Sequence, residues 1–408
     1  VYVYEGDGTG NENTILWSYV TGGEIQCTPS LVDLNGDSKL EVIVSSDDMN
    51  VYALNGATGL PYWIQPAPNP DATNFLMHGT PAIAQFNDGA FDAVIGCGNG
   101  YLIALNGEDG STIWEYKAGG GIVGTPGVSD VNGDSIPDVC VGAYDTFIHM
   151  VNGANGKKLW TYYVGPGLYN IQNSPIMVDL NGDNINDVVI GAKLTGDFPG
   201  RLFALDGPTG NEIWAPVQVY GNACRTPAPV KINDDDVWDF ILTTYFTGVY
   251  SFYGIDGLTG QIIYNRLTPN INPSAKFNYS SVISGDFTGD GHMNAMFSYT
   301  DANADPDNQT GFIDLVNVAD EGLPGEWGGK SLFQMQISAG KKAEITAPPA
   351  VGDVDNDGEL ELIACTMRGR THVLDLHAPV PTDPEQIPWP QHMGSRWHNG
   401  IPCFIPPS

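Results

Sequence analysis

Residues 174–214 read SPIMVDLNGDNINDVVIGAKLTGDFPGRLFALDGPTGNEIW, and they hold both signatures on which the fold turns. The first half is a Ser-Pro step, a short apolar run, an Asp-rich loop and a second apolar run. The second half is an apolar run, a turn closed by Gly210, and Trp214 four residues after that glycine. Short apolar runs rich in Val, Ile and Phe, bounded by Gly, Asn and Asp, read as strands, and two of them flanking a Gly-containing turn read as a hairpin. The stretch therefore predicts four strands in succession.

Working outward, the hairpin half recurs as VYALNGATGLPYW (51–63), YLIALNGEDGSTIW (101–114), IHMVNGANGKKLW (148–160) and SFYGIDGLTGQIIY (251–264). Looser copies open the chain at 1–17 and recur at 312–327. The starts at 51, 101, 148, 201 and 251 keep a period of about fifty residues. Between these copies lies the Asp-loop half, at 28–44, 125–141, 174–190 and 347–363, with diverged copies at 80–95, 226–241 and 281–297. Four-stranded units repeated radially make a β-propeller, which leaves only short, protected edges. A solenoid rarely uses four strands and fifty residues per coil. The expectation is an all-β, seven-bladed β-propeller of four-stranded blades over residues 1–376, with eight blades as the alternative. A Pro-rich C-terminal tail, 377–408, is expected to pack on the propeller or on a partner.

Composition agrees. The chain has 408 residues, 51 of them Gly and 29 Pro, yet 42% are hydrophobic, so many turns coexist with a sizeable core. The net charge of −32 excludes nucleic acid and anionic membrane surfaces as partners, because both demand Lys and Arg. No apolar run reaches the 18 residues of a membrane span. Of the 48 acids 35 are Asp and 13 Glu, which favours loops over a solvated helical surface. A start at Val1, without a signal-peptide core, reads as a processed or truncated product.

The Asp loops are the candidate metal centres. Asp33, Asn35, Asp37 and Glu41 occupy positions one, three, five and nine, with the Lys39 carbonyl at seven. Alternate residues of a tight loop turn their oxygens to one centre, and Ca²⁺ takes six to eight such oxygens in flexible geometry. The set recurs as Asp130, Asn132, Asp134, Ile136 and Asp138, and as Asp179, Asn181, Asp183, Ile185 and Asp187. It recurs again as Asp353, Asp355, Asp357, Glu359 and Glu361. Loop six offers a weaker set, Asp286, Thr288, Asp290 and Asn294. Loop five has Lys231 at position one, where an ammonium is expected to replace the ion. Loop two has Ala84 and Phe86 at the first two ligand positions, so change at Asp92 should matter little. Three to five structural calcium ions are expected.

On these loops the chain resembles the FG-GAP propeller repeat of integrin α-subunits and bacterial surface proteins. Its hairpin half also looks like the tryptophan-docking repeat of quinoprotein-like propellers, with Trp63, Trp114, Trp160 and Trp214 at the matching place. The resemblance implies a calcium-binding β-propeller at a cell surface. No vicinal Cys-Cys pair occurs, which argues against the quinone-enzyme members. The recurring tryptophans are expected to pack between blades.

The remaining motifs are sparse. No HExxH, GxSxG, P-loop or dinucleotide fingerprint is present. His392 and His398 flank Trp397 in the tail, where packing is the simpler reading. Of Cys27, Cys97, Cys140, Cys224, Cys365 and Cys403, Cys27 pairs with Cys365 to staple the ring or with Cys97, or the cysteines remain buried thiols. Asn278 and Asn308 head glycosylation sequons. The function expected is a non-catalytic extracellular adhesion, binding or surface-assembly module. Its expected partner is a protein or glycan ligand at the cell surface, or a second copy through strand exchange in a filament. The alternative is a calcium-stabilised polysaccharide lyase or related carbohydrate-active enzyme.

The ends raise the matter of closure. Residues 347–376 supply three strands, and TILWSYV (14–20) is the natural fourth. VYVYEG is then an added edge strand or the remnant of an eighth unit. Closure within one chain is expected over strand exchange, because a tethered strand has a high effective concentration.

Overall fold

Each repeat unit becomes one antiparallel sheet. The computed structural model describes residues 1–4, 15–69, 77–87, 89–165, 168–194, 200–219, 225–233, 235–246, 249–267, 280–302, 309–318, 331–340, 348–353, 355, 357–365 and 371–380. These residues form strands and turns without a helix, and none offers a helix long and apolar enough to cross a membrane. The tail beyond residue 380 with His392, Trp397, His398 and Cys403, the residue Cys224, and the sequons at Asn278 and Asn308 lie outside the described residues.

An N-terminal hairpin pairs β1 (Tyr2–Tyr4) with β2 (Ile15–Ser18). Sheet one holds β3 (Ser30–Val32), β4 (Glu41–Ser46), β5 (Asn50–Leu54) and β6 (Pro61–Pro66), in that order. Sheet two repeats it with β7 (Ala82–Ala84), β8 (Asp92–Gly96), β9 (Tyr101–Leu105) and β10 (Thr112–Lys117). Sheet three does so with β11 (Gly127–Ser129), β12 (Asp138–Gly142), β13 (Phe147–Val151) and β14 (Lys158–Tyr163). Sheet four carries an extra strand, β15 (Leu168–Asn170), before β16 (Ile176–Val178), β17 (Asp187–Leu194), β18 (Gly200–Leu205) and β19 (Glu212–Val219). Sheet five holds β20 (Ala228–Val230), β21 (Asp239–Phe246), β22 (Val249–Ile255) and β23 (Ile262–Leu267). Sheet six holds β24 (Ile283–Gly285), β25 (Asn294–Ala302), β26 (Gln309–Asn317) and β27 (Ser331–Gly340). Sheet seven has three strands, β28 (Ala350–Gly352), β29 (Glu359–Cys365) and β30 (Thr371–Pro379).

The chain divides into two compact units, one built mainly from residues 1–193 with 205–213, the other from 194–204 and residues after 213. In the first unit, the opening strands β3, β7, β11 and β16 touch in succession, and in the second β20 touches β24. These strands are short and closely packed, which is why the sequence shows them as unbroken apolar triplets such as Ile176–Val178. The fourth strands instead alternate. In β10 Thr112, Glu115 and Lys117 are exposed while Trp114 is buried between them.

The hydroxyls of the Thr-Pro and Ser-Pro steps link neighbouring opening strands. The Thr28 N–H donates to Thr80 Oγ1 at 3.1 Å, and the Thr125 N–H to Ser174 Oγ at 3.0 Å. The loops joining second to third strands bind the preceding unit. Asp48 accepts from the Gly22 N–H, and Asp145 from the Gly119 N–H, both at 2.7 Å. Buried His149 reinforces the second of these, with Nε2 on Asp145 at 3.1 Å and Nδ1 2.9 Å from the Tyr116 hydroxyl.

Among the described residues β2 pairs with β1, and the last sheet shows three strands. One expectation changes. Cys27, Cys97, Cys140 and Cys365 are free thiols rather than the Cys27–Cys365 or Cys27–Cys97 bridge. Burial explains Cys97 and Cys140, whose thiols it pushes up, Cys97 to about 12. Cys27 instead exchanges hydrogen bonds with the Ser45 backbone.

Candidate functional site

In each well-formed sheet the Asp loop and the hairpin turn lie at the same end, because both join strands that run in the same pair of directions. One carboxylate ties them together. In sheet two Asp92, at position nine of its loop, is wholly buried. It accepts the Phe86 N–H at 3.0 Å through Oδ2 and the Gly107 N–H at 3.1 Å through Oδ1. Asp138 does the same for Val131 and Gly153, Asp187 for Leu180 and Gly207, and Asp239 for Ile232 and Gly257. Burial pushes Asp138, Asp187 and Asp239 up to about 6 against these donors.

The same turn glycine receives the preceding unit. Trp17 Nε1 donates to the Gly56 carbonyl at 2.7 Å, Trp63 to Gly107 at 2.7 Å, and Trp114 to Gly153 at 2.6 Å. Trp160 reaches Gly207 at 2.8 Å and Trp214 reaches Gly257 at 3.1 Å. The chemistry demands glycine at both ends of the turn. A Cβ on Gly107 would stand 1.9 Å from the Phe91 carbonyl oxygen. A Cβ on Gly110, at φ +74°, would stand 2.8 Å from the Trp63 ring. Trp17 docks like the others, so the N-terminal hairpin takes toward sheet one the part each sheet takes toward the next.

The outer half of each loop holds the remaining predicted ligands. Asp33 gathers the N–H groups of Gly36, Asp37 and Ser38, Asp130 those of Gly133 and Ser135, and Asp179 those of Gly182 and Asn184. Asn35, Asn132 and Asn181 each accept from the residue two positions on, as do Asp37, Asp134 and Asp183, whose donors are Lys39, Ile136 and Ile185. Loop six repeats the wrap, with Asp286 accepting from Gly289, Asp290 and Gly291, and Asp290 from His292. Thr288 donates its hydroxyl to Asn294 Oδ1 at 3.3 Å. In loop seven, oxygens of Asp353, Asp355 and Asp357 lie within 4.8 Å of one another, and Asp353 Oδ1 is buried without a hydrogen-bond partner. Two ligands of one calcium ion at 2.3–2.6 Å stand no more than about 5 Å apart, so the donor set fits a hard divalent cation.

The position-nine side chains behave differently from the expectation of plain ligands. Glu41 Oε2 accepts from the Leu34 N–H at 3.0 Å, and burial with Asp37 and Asp33 nearby raises its proton affinity. Glu361 is nearly buried, while Glu359 turns its carboxylate to His377 at 3.2 Å. Lys231 keeps its ammonium on its own loop. Its Nζ binds the Asp236 carbonyl and lies 4.8 Å over the Trp238 ring, while Asp235, Asp239 and Asp256 come within 4.8 Å of one another. Sequence reasoning missed Asp92 and Asp239 as inner nodes. The signal that finds them is the acid kept at position nine of loops whose earlier positions have decayed.

Sheets joined by tryptophans that hydrogen-bond the turn of the next sheet define a tryptophan-docked β-propeller. Residues 9–216 match the family model PQQ_2, outer membrane protein assembly factor BamB, and the chain belongs to that family. This overturns the expected FG-GAP membership. The docking tryptophans from Trp17 to Trp214 fall within the matched residues, and so do Asp loops one to four, so an Asp-rich first connection does not by itself mark the FG-GAP repeat. The fold is similar to BamB from Moraxella catarrhalis, with a TM-score of 0.59, 14% identity, and 89% of this chain and 88% of that one covered. It is also similar to a europium-containing methanol dehydrogenase, at 0.60 and 14%, over 89% and 80% of the two chains. A quinohemoprotein alcohol dehydrogenase from Comamonas testosteroni aligns at 0.52 and 12%, over 88% and 76%. No curated protein sequence matches the chain.

Proposed function

We propose that this chain is a non-catalytic, calcium-stabilised propeller scaffold that binds a protein partner outside the cytoplasm, in the assembly of outer membrane proteins. The observation that carries this reading is the match of residues 9–216 to the assembly-factor family. The repeated polar residues support it, since the buried carboxylates and the tryptophan N–H groups are engaged in joining loops, turns and sheets. What remains for a partner is the outer surface. Leu60, Tyr62 and Ile64 on and beside β6, and Leu159 and Tyr163 on β14, are exposed apolar side chains on sheet edges. The excess of acid turns away phosphate and anionic lipid and is answered locally by calcium at loops one, three, four and seven, with loop six weaker. Each ion would bridge the first connection of its sheet and stiffen the end that also carries the docking turn.

A photo-crosslinking residue at Tyr62 or Leu159 of the full chain, expressed in its host, tests the partner. Crosslinks to protein are expected from these sites and not from Glu108 in a hairpin turn. Free outer strands, with no protein captured at either, would defeat the reading. Metal analysis of the purified chain is expected to give three to five calcium ions per chain.

A further inference from the structure

The nine-residue pattern places all its ligands between the first and second strands, but the structure brings the hairpin turn of the same sheet against that loop. In sheet three the first turn residue, Asn152, donates from Nδ2 to Asp134 Oδ2 at 3.1 Å. Asn152 is 8% exposed, and its Oδ1 is buried with no hydrogen-bond partner. A buried amide oxygen without a donor is costly unless something else meets it, and a carboxamide oxygen is a ready calcium ligand.

Loop three needs such an oxygen. Asp130, Asn132, Asp134 and the Ile136 carbonyl face the loop centre by position. Asp138, the fifth member, already receives the backbone N–H groups of Val131 and Gly153 and the amide of Asn132. Six to eight oxygens are wanted, and the loop alone falls short. Asn152 stands within hydrogen-bonding reach of Asp134, with its own oxygen unanswered.

Other sheets put a carboxylate in the same place. Asn152, Asp206 and Asp256 each open a turn by donating their backbone N–H to the carbonyls of Lys157, Asn211 and Gln261. Asn181 Nδ2 reaches Asp206 Oδ1 at 3.3 Å, and Asn233 Nδ2 reaches Asp256 Oδ2 at 3.0 Å. A polar side chain at this turn position therefore approaches the loop from outside the nine-residue pattern in three successive sheets, through an oxygen in sheets four and five and through the Asn152 amide in sheet three.

We infer that Asn152 Oδ1 is a ligand of the cation in loop three, so that the site closes between the Asp loop and the hairpin turn. The inference rests on the calcium reading of that loop. A crystal structure of the full chain grown with calcium tests it directly, with an ion expected in sheet three and Asn152 Oδ1 about 2.3–2.6 Å from it. An ion in loop three with Asn152 Oδ1 out of reach overturns the inference and leaves the calcium reading standing. No ion in any loop overturns both. Native mass spectrometry across a calcium titration supplies the second measurement. Asn152→Ala is expected to give up one ion at roughly tenfold higher free calcium than the parent, and Asn152→Asp to keep it. An unchanged ion count for Asn152→Ala at every calcium level sinks the inference.

Discussion

Loops two and four show what an Asp loop does in this fold. Loop four keeps every predicted oxygen, from Asp179 to Asp187. Loop two has lost the first two outer ligands, with buried Ala84 and Phe86 where they would stand and the Phe86 ring edge-on to Trp114 at 5.7 Å. Yet the inner halves coincide. Asp187 takes the Leu180 and Gly207 N–H groups at 2.9 and 3.0 Å, and Asp92 takes those of Phe86 and Gly107 at 3.0 and 3.1 Å. The loop has two separable jobs: an inner carboxylate that joins it to the hairpin turn, and an outer ring that the calcium reading needs.

The largest expected effect tests the inner job. Asp92→Ala leaves two buried N–H groups unanswered at roughly 1–3 kcal/mol each. Denaturant unfolding should show that loss with and without chelator. A near-silent Asp92→Ala would restore the view that loop two is mere decay. Next comes the partner of the same turn. Trp63→Ala removes a buried ring and its bond to Gly107, for about 3–5 kcal/mol, again independent of calcium.

The outer job should behave otherwise. Asp179→Ala is expected to be mild in chelator, because its side chain serves only exposed loop N–H groups. In calcium at about a hundred times the dissociation constant it should forfeit up to about 2.7 kcal/mol, the linkage term for one ion. Equal losses in both buffers would collapse the distinction between the two halves.

The smallest effect is a pH slope. Asp239 titrates near 6 in the folded chain, above the unfolded value of about 3.9. The folded state then holds its proton longer, so this group's contribution is fully present below about 3.9 and is lost as pH rises through about 6. Melting temperature in chelator should fall between about pH 4 and 6, and Asp239→Asn should flatten part of that fall. A slope unchanged by the substitution would mean that burial does not perturb the inner acids.

Much of this architecture was legible in the residues. The fifty-residue period, the four strands and the glycine turns follow from alternation and turn chemistry, which act over a few neighbours. The Asp-loop spacing was legible too, but it pointed to the wrong family, because a nine-residue spacing records a local loop and says nothing of what the sheet docks against. Lys231 was read as a stand-in for an ion, and the acceptors its ammonium meets are the Asp236 carbonyl of its own loop and the Trp238 ring. A long flexible side chain chooses among acceptors that only the folded neighbourhood supplies.

By itself the sequence determined that strands form, where they turn, and that Trp114, Trp160 and Trp214 recur in step with the turns. Only the tertiary structure decided that Trp63 finds the Gly107 carbonyl 44 residues on, that Asp92 answers Gly107 15 residues on, and that Asn152 meets Asp134 18 residues back. Those choices depend on which loop ends share one edge of a sheet and on which buried donors are still unpaired once the strands are in register. Local propensity carries no information about either.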